Sequence, residues 1–282
     1  MFIWRGIQKL EIIKKEWKLI ETSNRILWEK FYKIKHILAT TKYKNKYKIY
    51  SAISLNAISQ IKEYLKQLDG FYAIPFITKE TDIVLANKRT KEFCDKFDKA
   101  IFVPLVEENR EVSFKDDFFV FKEHFLIHNY LELEKRKEYY SFLNENRYFL
   151  IIHCKDRIRI KYIKQLRTLY PNMNIIIPHM GRDVYENYEF TKKVIDAFKS
   201  DEHIFFDTST ITNVDIIKYA IQKIGFDRIS FGSDYPLGFN QATEVSVSFN
   251  LFNELKISAE NLNKIFYDNA LRRCMSGKIW VM

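Results

Sequence analysis

Two histidines and one aspartate stand at the ends of short apolar runs in this chain. They are His153 after Phe149-Leu150-Ile151-Ile152, His179 after Asn174-Ile175-Ile176-Ile177-Pro178, and Asp234 after Arg228-Ile229-Ser230-Phe231-Gly232-Ser233. Runs of β-branched and aromatic residues closed by glycine or proline read as buried strands. Polar groups just past the C-terminal ends of such strands are where a parallel α/β fold keeps its chemistry. Imidazole suits zinc and similar ions, and a carboxylate can both hold a cation and take a proton from water. Each residue has a plainer reading: Asp234 could cap a turn, and His153 could be a satisfied core histidine. Their shared placement at three strand ends favours a candidate active site.

The elements that would position them alternate regularly. Candidate strands are Ile49–Leu55, Phe71–Ile77, Ala100–Val106, Phe118–Phe125, Phe149–His153, Asn174–Pro178, His203–Thr208 and Arg228–Phe231. Amphipathic segments lie between them: Ala57–Leu68, Asn87–Phe97, Ile158–Tyr170, Asp183–Lys199, Val214–Ile224 and Thr243–Leu255. A last helix starts at Ser258, a good N-cap residue ahead of Leu262, Ile265 and Phe266, and runs to about Cys274. Eight strand units favour an α/β chain closed into a single (β/α)8 TIM-type barrel over residues 48–282, with an open doubly wound sheet as the alternative. Residues 1–47 do not alternate. Leu10, Ile13, Trp17 and Ile20, then Ile26, Leu27, Phe31 and Ile34, fall at helical spacing, so this part reads as an N-terminal helical extension ending in the basic connector Lys42–Lys48.

Composition narrows the function classes. The 282 residues are 47% hydrophobic and 16% aromatic, enough for a large core. With 7 glycines and neither a G-x-G-x-x-G nor a P-loop pattern, nucleotide binding by those devices is not supported. The net charge of +10 comes mostly from lysines spread along helical segments, which reads as a solvated surface rather than a nucleic-acid face. Cys94, Cys154 and Cys274 are odd in number and far apart, which suits a reducing, cytoplasmic setting. Neither a signal peptide nor an apolar run long enough to span a bilayer is visible, so the expected partner is a small-molecule substrate rather than a membrane, with self-association an open option.

Taken in order, Leu150-Ile151-Ile152-His153, Ile177-Pro178-His179-Met180-Gly181, Phe205-Phe206-Asp207-Thr208-Ser209, Phe231-Gly232-Ser233-Asp234-Tyr235-Pro236 and Asn269-Ala270-Leu271-Arg272-Arg273 resemble the amidohydrolase superfamily. The resemblance is to its amidohydrolase-related branch of metal-dependent decarboxylases and hydrolases. It covers roughly Lys48 to Cys274 and is strongest from Phe119 onward. The resemblance implies a barrel with its site at the C-terminal mouth. It also implies a divalent metal, zinc foremost, held by His153, His179 and Asp234, with substrate contact as the other role open to His153. Asp234 would be general base toward water, and His179 a ligand or general acid. Lys122 stands in the fourth strand where some relatives carry a metal-bridging lysine.

The first strand of that superfamily ordinarily ends in His-x-His, and no such pair occurs among His36, His124, His128, His153, His179 and His203. The segment that would be that strand reads Lys48-Ile49-Tyr50-Ser51-Ala52-Ile53-Ser54-Leu55. Either that strand has lost its ligands or the chain starts past it. Lactone-hydrolysing relatives that work without a metal offer another route, in which Lys122, Lys155, Arg157 and Arg182 would polarise a carbonyl and bind a substrate carboxylate. His124 shares a strand face with Lys122 and is a substrate-contact candidate. His128 reads as a loop residue, Asp207-Thr208-Ser209 as a helix cap slightly ahead of a pocket lining, and His36 and His203 as structural or exposed. The expected activity is hydrolysis of a small carboxylate-bearing amide, lactone or ester. The alternatives are a non-oxidative decarboxylase of the same fold and a non-catalytic barrel that binds a small molecule or partner.

Overall fold

The computed structural model describes residues 2–4, 70–75, 77, 81–96, 100–106, 119–130, 132–182, 188–232, 252 and 254–275. Strand β1 (Phe2–Trp4) lies antiparallel to β2 (Gly70–Ala73), which pairs in parallel with β3 (Ala100–Phe102). A second, all-parallel sheet runs in sequence order through β4 (Val120–His124), β5 (Phe149–His153), β6 (Asn174–Ile177), β7 (Ile204–Asp207) and β8 (Ile229–Ser230). A parallel bridge from Leu105 to Lys122 continues the order from β3 into β4. Seven described strands therefore follow one another in parallel, as a (β/α)8 barrel requires. Residues 2–4 form a strand whose backbone pairs with β2, and the helical spacing expected from Leu10 to Ile34 lies outside the described residues. The connector Lys42–Lys48, the strand expected over Ile49–Leu55, the helix over Ala57–Leu68 and most of Thr243–Leu255 lie outside the described residues.

The helices form where polar caps meet apolar periodicity. Helix α1 (Ile83–Cys94) starts at Asp82, whose carboxylate accepts from Leu85 N at 3.0 Å. Helix α2 (Lys137–Glu145) follows a 3-10 turn over Leu133–Arg136, in a stretch where no helix was expected. It buries Tyr139, Tyr140 and Leu143, a spacing of one face hidden in the sequence by charged neighbours. Helix α3 (Asp156–Leu169) and helix α4 (Tyr188–Phe198) follow β5 and β6. Helix α5 (Val214–Ile224) is capped by Asn213, buries Ile216, Ile217, Ala220 and Ile224, and stops at Gly225 with φ 72°. These helices cover the outer face of a sheet whose residues Leu150–Ile152 and Ile175–Ile177 are almost wholly buried.

The last segment binds the arc from below. Helix α6 (Ala259–Asn263) begins at Ser258, whose hydroxyl accepts from Asn261 N, and passes through a π-turn over Lys264–Asp268 into α7 (Asn269–Met275). Asn269 Nδ2 donates to the carbonyls of Phe226 and Ile229, both at 2.7 Å, which holds the entry to β8. Tyr72 Oη donates to Ala270 O, tying β2 to the same helix. Arg273 donates to Ser230 Oγ and lays its guanidinium over Phe205 at 4.8 Å and Phe149 at 6.0 Å. The run Asn269–Arg273 thus fastens the C-terminal helix to β8 and to the floor of the sheet.

Candidate active site

Ladder register sorts the strand residues into layers. Lys122, Ile151, Ile176 and Phe205 are consecutive partners across β4 to β7 and share one face. Two residues further along, His124 and His153 are direct partners, and Asp207 stands at the same height on β7. Parity places Lys122, His124, His153 and Asp207 on that face, at the C-terminal ends of their strands. The layer below is apolar apart from Lys122, so the polar groups gather where a barrel opens.

The three imidazoles touch in series. His124 and His153 meet edge to face with ring centroids 4.5 Å apart, and His153 and His179 do so at 4.8 Å. Burial disfavours the imidazolium form of all three. His124 is lowered to about 2 by burial, with Lys122 adding repulsion. Burial likewise holds His153 well below its ordinary value, with the other two rings and Lys122 contributing. His179 is brought to about 4 by burial, an effect that Asp207 partly opposes and Lys122 and Arg182 reinforce. At neutral pH the face therefore presents neutral imidazole nitrogens, the form that ligates cations or accepts protons.

His179 is held in an unusual backbone. It has φ 57° and Met180 φ 48°, a left-handed pair for which non-glycine residues need outside support. Gly181 follows at φ 74°, and a Cβ there would stand 2.6 Å from Val194 Cγ1. Two groups hold the turn. Asp207 Oδ1 accepts from His179 N at 3.1 Å. Arg159, almost fully buried, donates to the carbonyls of Gly181, Arg182 and Cys154, and so ties the segment after β6 to the segment after β5. Arg182 Nε donates to Thr210 Oγ1 at 2.8 Å, which joins the β6 turn to the β7 end.

The expected residues fall as follows. His153, His179, Lys122 and His124 are brought together on one face. Arg182 flanks them through Thr210. Arg157 lies in the first turn of α3, and its side chain is outside what is described. Asp234 also lies outside the described residues; the chain before it is described to Gly232, whose N–H reaches Thr208 Oγ1 at 3.4 Å. His128 is not a simple loop residue: its ring is buried, 2.8 Å from Val106 O and 3.0 Å from His124 N, so it braces the end of β4. The helix-cap reading of Asp207–Ser209 is corrected. Asn213 caps α5, while Asp207 is fully buried and bonded to His179 and Ser209. Asp207 ends an apolar run as His153 does, a signal for its place at the strand end but not for the turn it holds. Arg159 gave no signal, because an arginine in a helix ordinarily faces water.

As a metal site, the described donors do not suffice. The histidine rings pack edge to face, and among the described residues no group of three His, Cys, Asp or Glu side chains is arranged to hold an ion. Asp207 Oδ2 is a buried oxygen without a hydrogen-bond partner among the described residues.

Comparison with known families finds a match to the Amidohydrolase family over residues 115–272, more than half of the chain. No curated protein matches it. Among solved structures, the chain is similar to an amidohydrolase from Burkholderia multivorans with bound zinc, at TM-score 0.63 and 11% identity, covering 78% of this chain and 87% of that one. It is similar to a putative 2-pyrone-4,6-dicarboxylic acid hydrolase from Pseudomonas putida, at TM-score 0.59 and 13% identity, with 80% and 88% covered. It is also similar to 2,6-dihydroxybenzoate decarboxylase from Rhizobium, at TM-score 0.55 and 16% identity, with 76% and 86% covered. At these identities the likeness is one of fold.

Proposed function

From the premise that the chain belongs to the amidohydrolase family, we propose that it is an enzyme acting on a small carbonyl compound that carries a carboxylate, and that it hydrolyses an amide, lactone or ester bond. The observation that carries this reading is the single polar face made by Lys122, His124, His153 and His179 at the strand ends. Lys122 supplies positive charge under neutral imidazoles, an arrangement that favours a bound anion or a developing oxyanion. His179 is the proton-handling group at this face, since its ring is bonded to Ser209 and its backbone N–H to Asp207. Asp234, two residues beyond Gly232, is proposed as the base toward water on its sequence position alone. A divalent cation held by His153, His179 and Asp234 would act as a Lewis acid on the carbonyl; the described donors do not by themselves form that site, and no step here depends on it. The free, buried Cys94 and Cys154 support a reducing, cytoplasmic setting. Among the described residues no helix is long and apolar enough to cross a membrane.

Decarboxylation is the second reading. It is supported by the likeness to a 2,6-dihydroxybenzoate decarboxylase and by the same anion-favouring face. Hydrolysis and carbon dioxide release can be measured in parallel on carboxylated lactones, amides, esters and hydroxybenzoates, with and without added zinc or manganese. Turnover that disappears in His179→Gln is the expected result. Turnover of none of these compounds under either condition, by protein that is folded, would overturn the enzymatic reading and leave a binding barrel.

A further inference from the structure

Hydrogen accounting at the β7 end fixes a property of His179. Asp207 Oδ1 accepts from three donors: His179 N at 3.1 Å, Ser209 N at 2.9 Å and the Ser209 hydroxyl. The single hydroxyl proton of Ser209 is thereby committed to Asp207, which leaves Ser209 Oγ as an acceptor toward His179 Nδ1 at 2.8 Å. The backbone carbonyl of Ser209, which can only accept, lies 3.2 Å from the same nitrogen. Thr210 Oγ1, which accepts from Arg182 Nε and keeps its own proton, is also 3.2 Å away, a longer contact than that of Ser209 Oγ. Two oxygens with no proton to give converge on Nδ1, and among the described residues every hydrogen bond of this ring falls on that nitrogen.

We propose that Asp207 and Ser209 are positioning residues that hold neutral His179 as its Nδ1–H tautomer, so that Nε2, whose lone pair has no partner among the described residues, is the nitrogen presented to substrate. Asp207 acts twice on the same residue: directly on its backbone in the left-handed turn, and through Ser209 on its ring. Histidine free in solution favours the other tautomer, with the proton on Nε2, so this arrangement reverses the intrinsic preference. A ring nitrogen's role at a functional site is set by the bond its other nitrogen makes. The inference rests on the reading of His179 as the proton-handling group only for its kinetic consequence; the tautomer itself follows from the bonds.

The test is nitrogen NMR of the full chain labelled with 15N-histidine at pH 8, with the His179 signals assigned by their loss in His179→Gln. The expected wild-type pattern is a protonated Nδ1 and an unprotonated Nε2. Ser209→Ala, which removes the hydroxyl but keeps the carbonyl, should move His179 toward a mixture of tautomers, and Ser209→Thr should restore the wild-type pattern. With a substrate in hand, Ser209→Ala should lower kcat roughly 10–100-fold with KM little changed, the size typical of an orienting partner. A wild-type His179 protonated on Nε2 would overturn the proposal, as would a folded Ser209→Ala protein with an unaltered tautomer. Should Ser209→Ala fail to fold, the wild-type spectrum still decides. An Nδ1–H tautomer without turnover on any compound sinks the enzymatic reading and leaves this one standing; turnover with the Nε2–H form does the reverse.

Discussion

Strand β4 carries two buried polar regions back to back. Lys122 and His124 face the mouth, and Glu123 between them faces the helices. On the helix side the bonds close on themselves. Glu123 Oε1 takes Arg136 Nε at 3.1 Å and Tyr140 Oη at 2.7 Å, Oε2 takes Tyr162 Oη at 3.2 Å, and the two tyrosine hydroxyls lie 2.7 Å apart. On the mouth side they do not close: three neutral imidazoles meet edge to face without bonding to one another, and Asp207 Oδ2 has no partner among the described residues. A closed network rigidifies a core, whereas an open one is costly unless something binds there. The comparison separates scaffold from site more sharply than burial does, because both regions are buried.

The largest effect should come from opening the closed side. Arg136→Met leaves Glu123, fully buried, without its cation, and breaking a buried pair from one side costs about 3–5 kcal/mol. Urea unfolding should show that loss, while the His179 tautomer in the surviving folded fraction stays as in wild type. A loss below about 1 kcal/mol would mean that the tyrosines alone satisfy Glu123.

The mouth should behave in the opposite way. His179→Gln should lower turnover by roughly 10²–10⁴-fold, the range for a lost proton-transfer group. Its stability should change by about 1 kcal/mol at most, because the bond lost at Nδ1 is offset by removal of a buried Nε2 with no partner among the described residues. Equal losses in stability and activity would place His179 in the scaffold and erase the distinction drawn here.

Gly181→Ala probes the hinge between the two behaviours. The substitution puts a methyl 2.6 Å from Val194 Cγ1 at a φ that L-residues resist, so a loss of about 1–3 kcal/mol is expected from overpacking. Turnover should fall further than stability, since the displaced turn is the one that holds His179. Thermal melting and kinetics on the same sample would measure both.

Much of this arrangement was legible in the sequence because the strands around the site are short apolar runs closed by distinctive residues. Phe149–His153 and Val214–Ile224 are found at the expected bounds, and His153 and His179 lie where the strand ends imply. Helix α2 was not legible, since its buried face is made of Tyr139, Tyr140 and Leu143 among charged residues. Nor were Arg159 and Asp207 in their roles. Both act through backbone carbonyls and amides brought together by the turn after β6, and a left-handed His179–Met180 pair has no signature in composition or periodicity.

The two regions should also separate on the alkaline side. Burial raises the phenols of Tyr140 and Tyr162 above their ordinary value, with the Glu123 charge adding to it. A phenol with a folded-state pKa above its unfolded value of about 10 contributes stability that is complete below pH 10. Above it the unfolded chain releases protons that the folded one retains, so stability falls by about 1.4 kcal/mol per pH unit per tyrosine. Urea midpoints should therefore begin to fall near pH 9, where the buried Cys94 and Cys154 thiols, pushed up to about 12, start to contribute, and drop more steeply beyond pH 10, where Tyr162→Phe should reduce the slope. A slope unchanged in that variant would assign the alkaline loss to other groups.

The smallest effect tests a bond through which the closed side reaches the open one. Tyr130 Oη donates to His153 O at 2.8 Å, and its ring lies 4.6 Å from that of Tyr162 in the Glu123 network. Tyr130→Phe removes the hydroxyl and keeps the ring contact, so the expected loss in stability is about 0.5–1.5 kcal/mol, that of one hydrogen bond. If the network merely supports the fold, turnover will follow stability and change little. If the β5 end is held at working height by this bond, KM will stay and kcat will drop by a few-fold, because His153 shifts against His179 while the substrate-binding face persists. Measuring the kcat and KM of Tyr130→Phe beside its urea midpoint distinguishes a scaffold that only carries the site from one that also aims it.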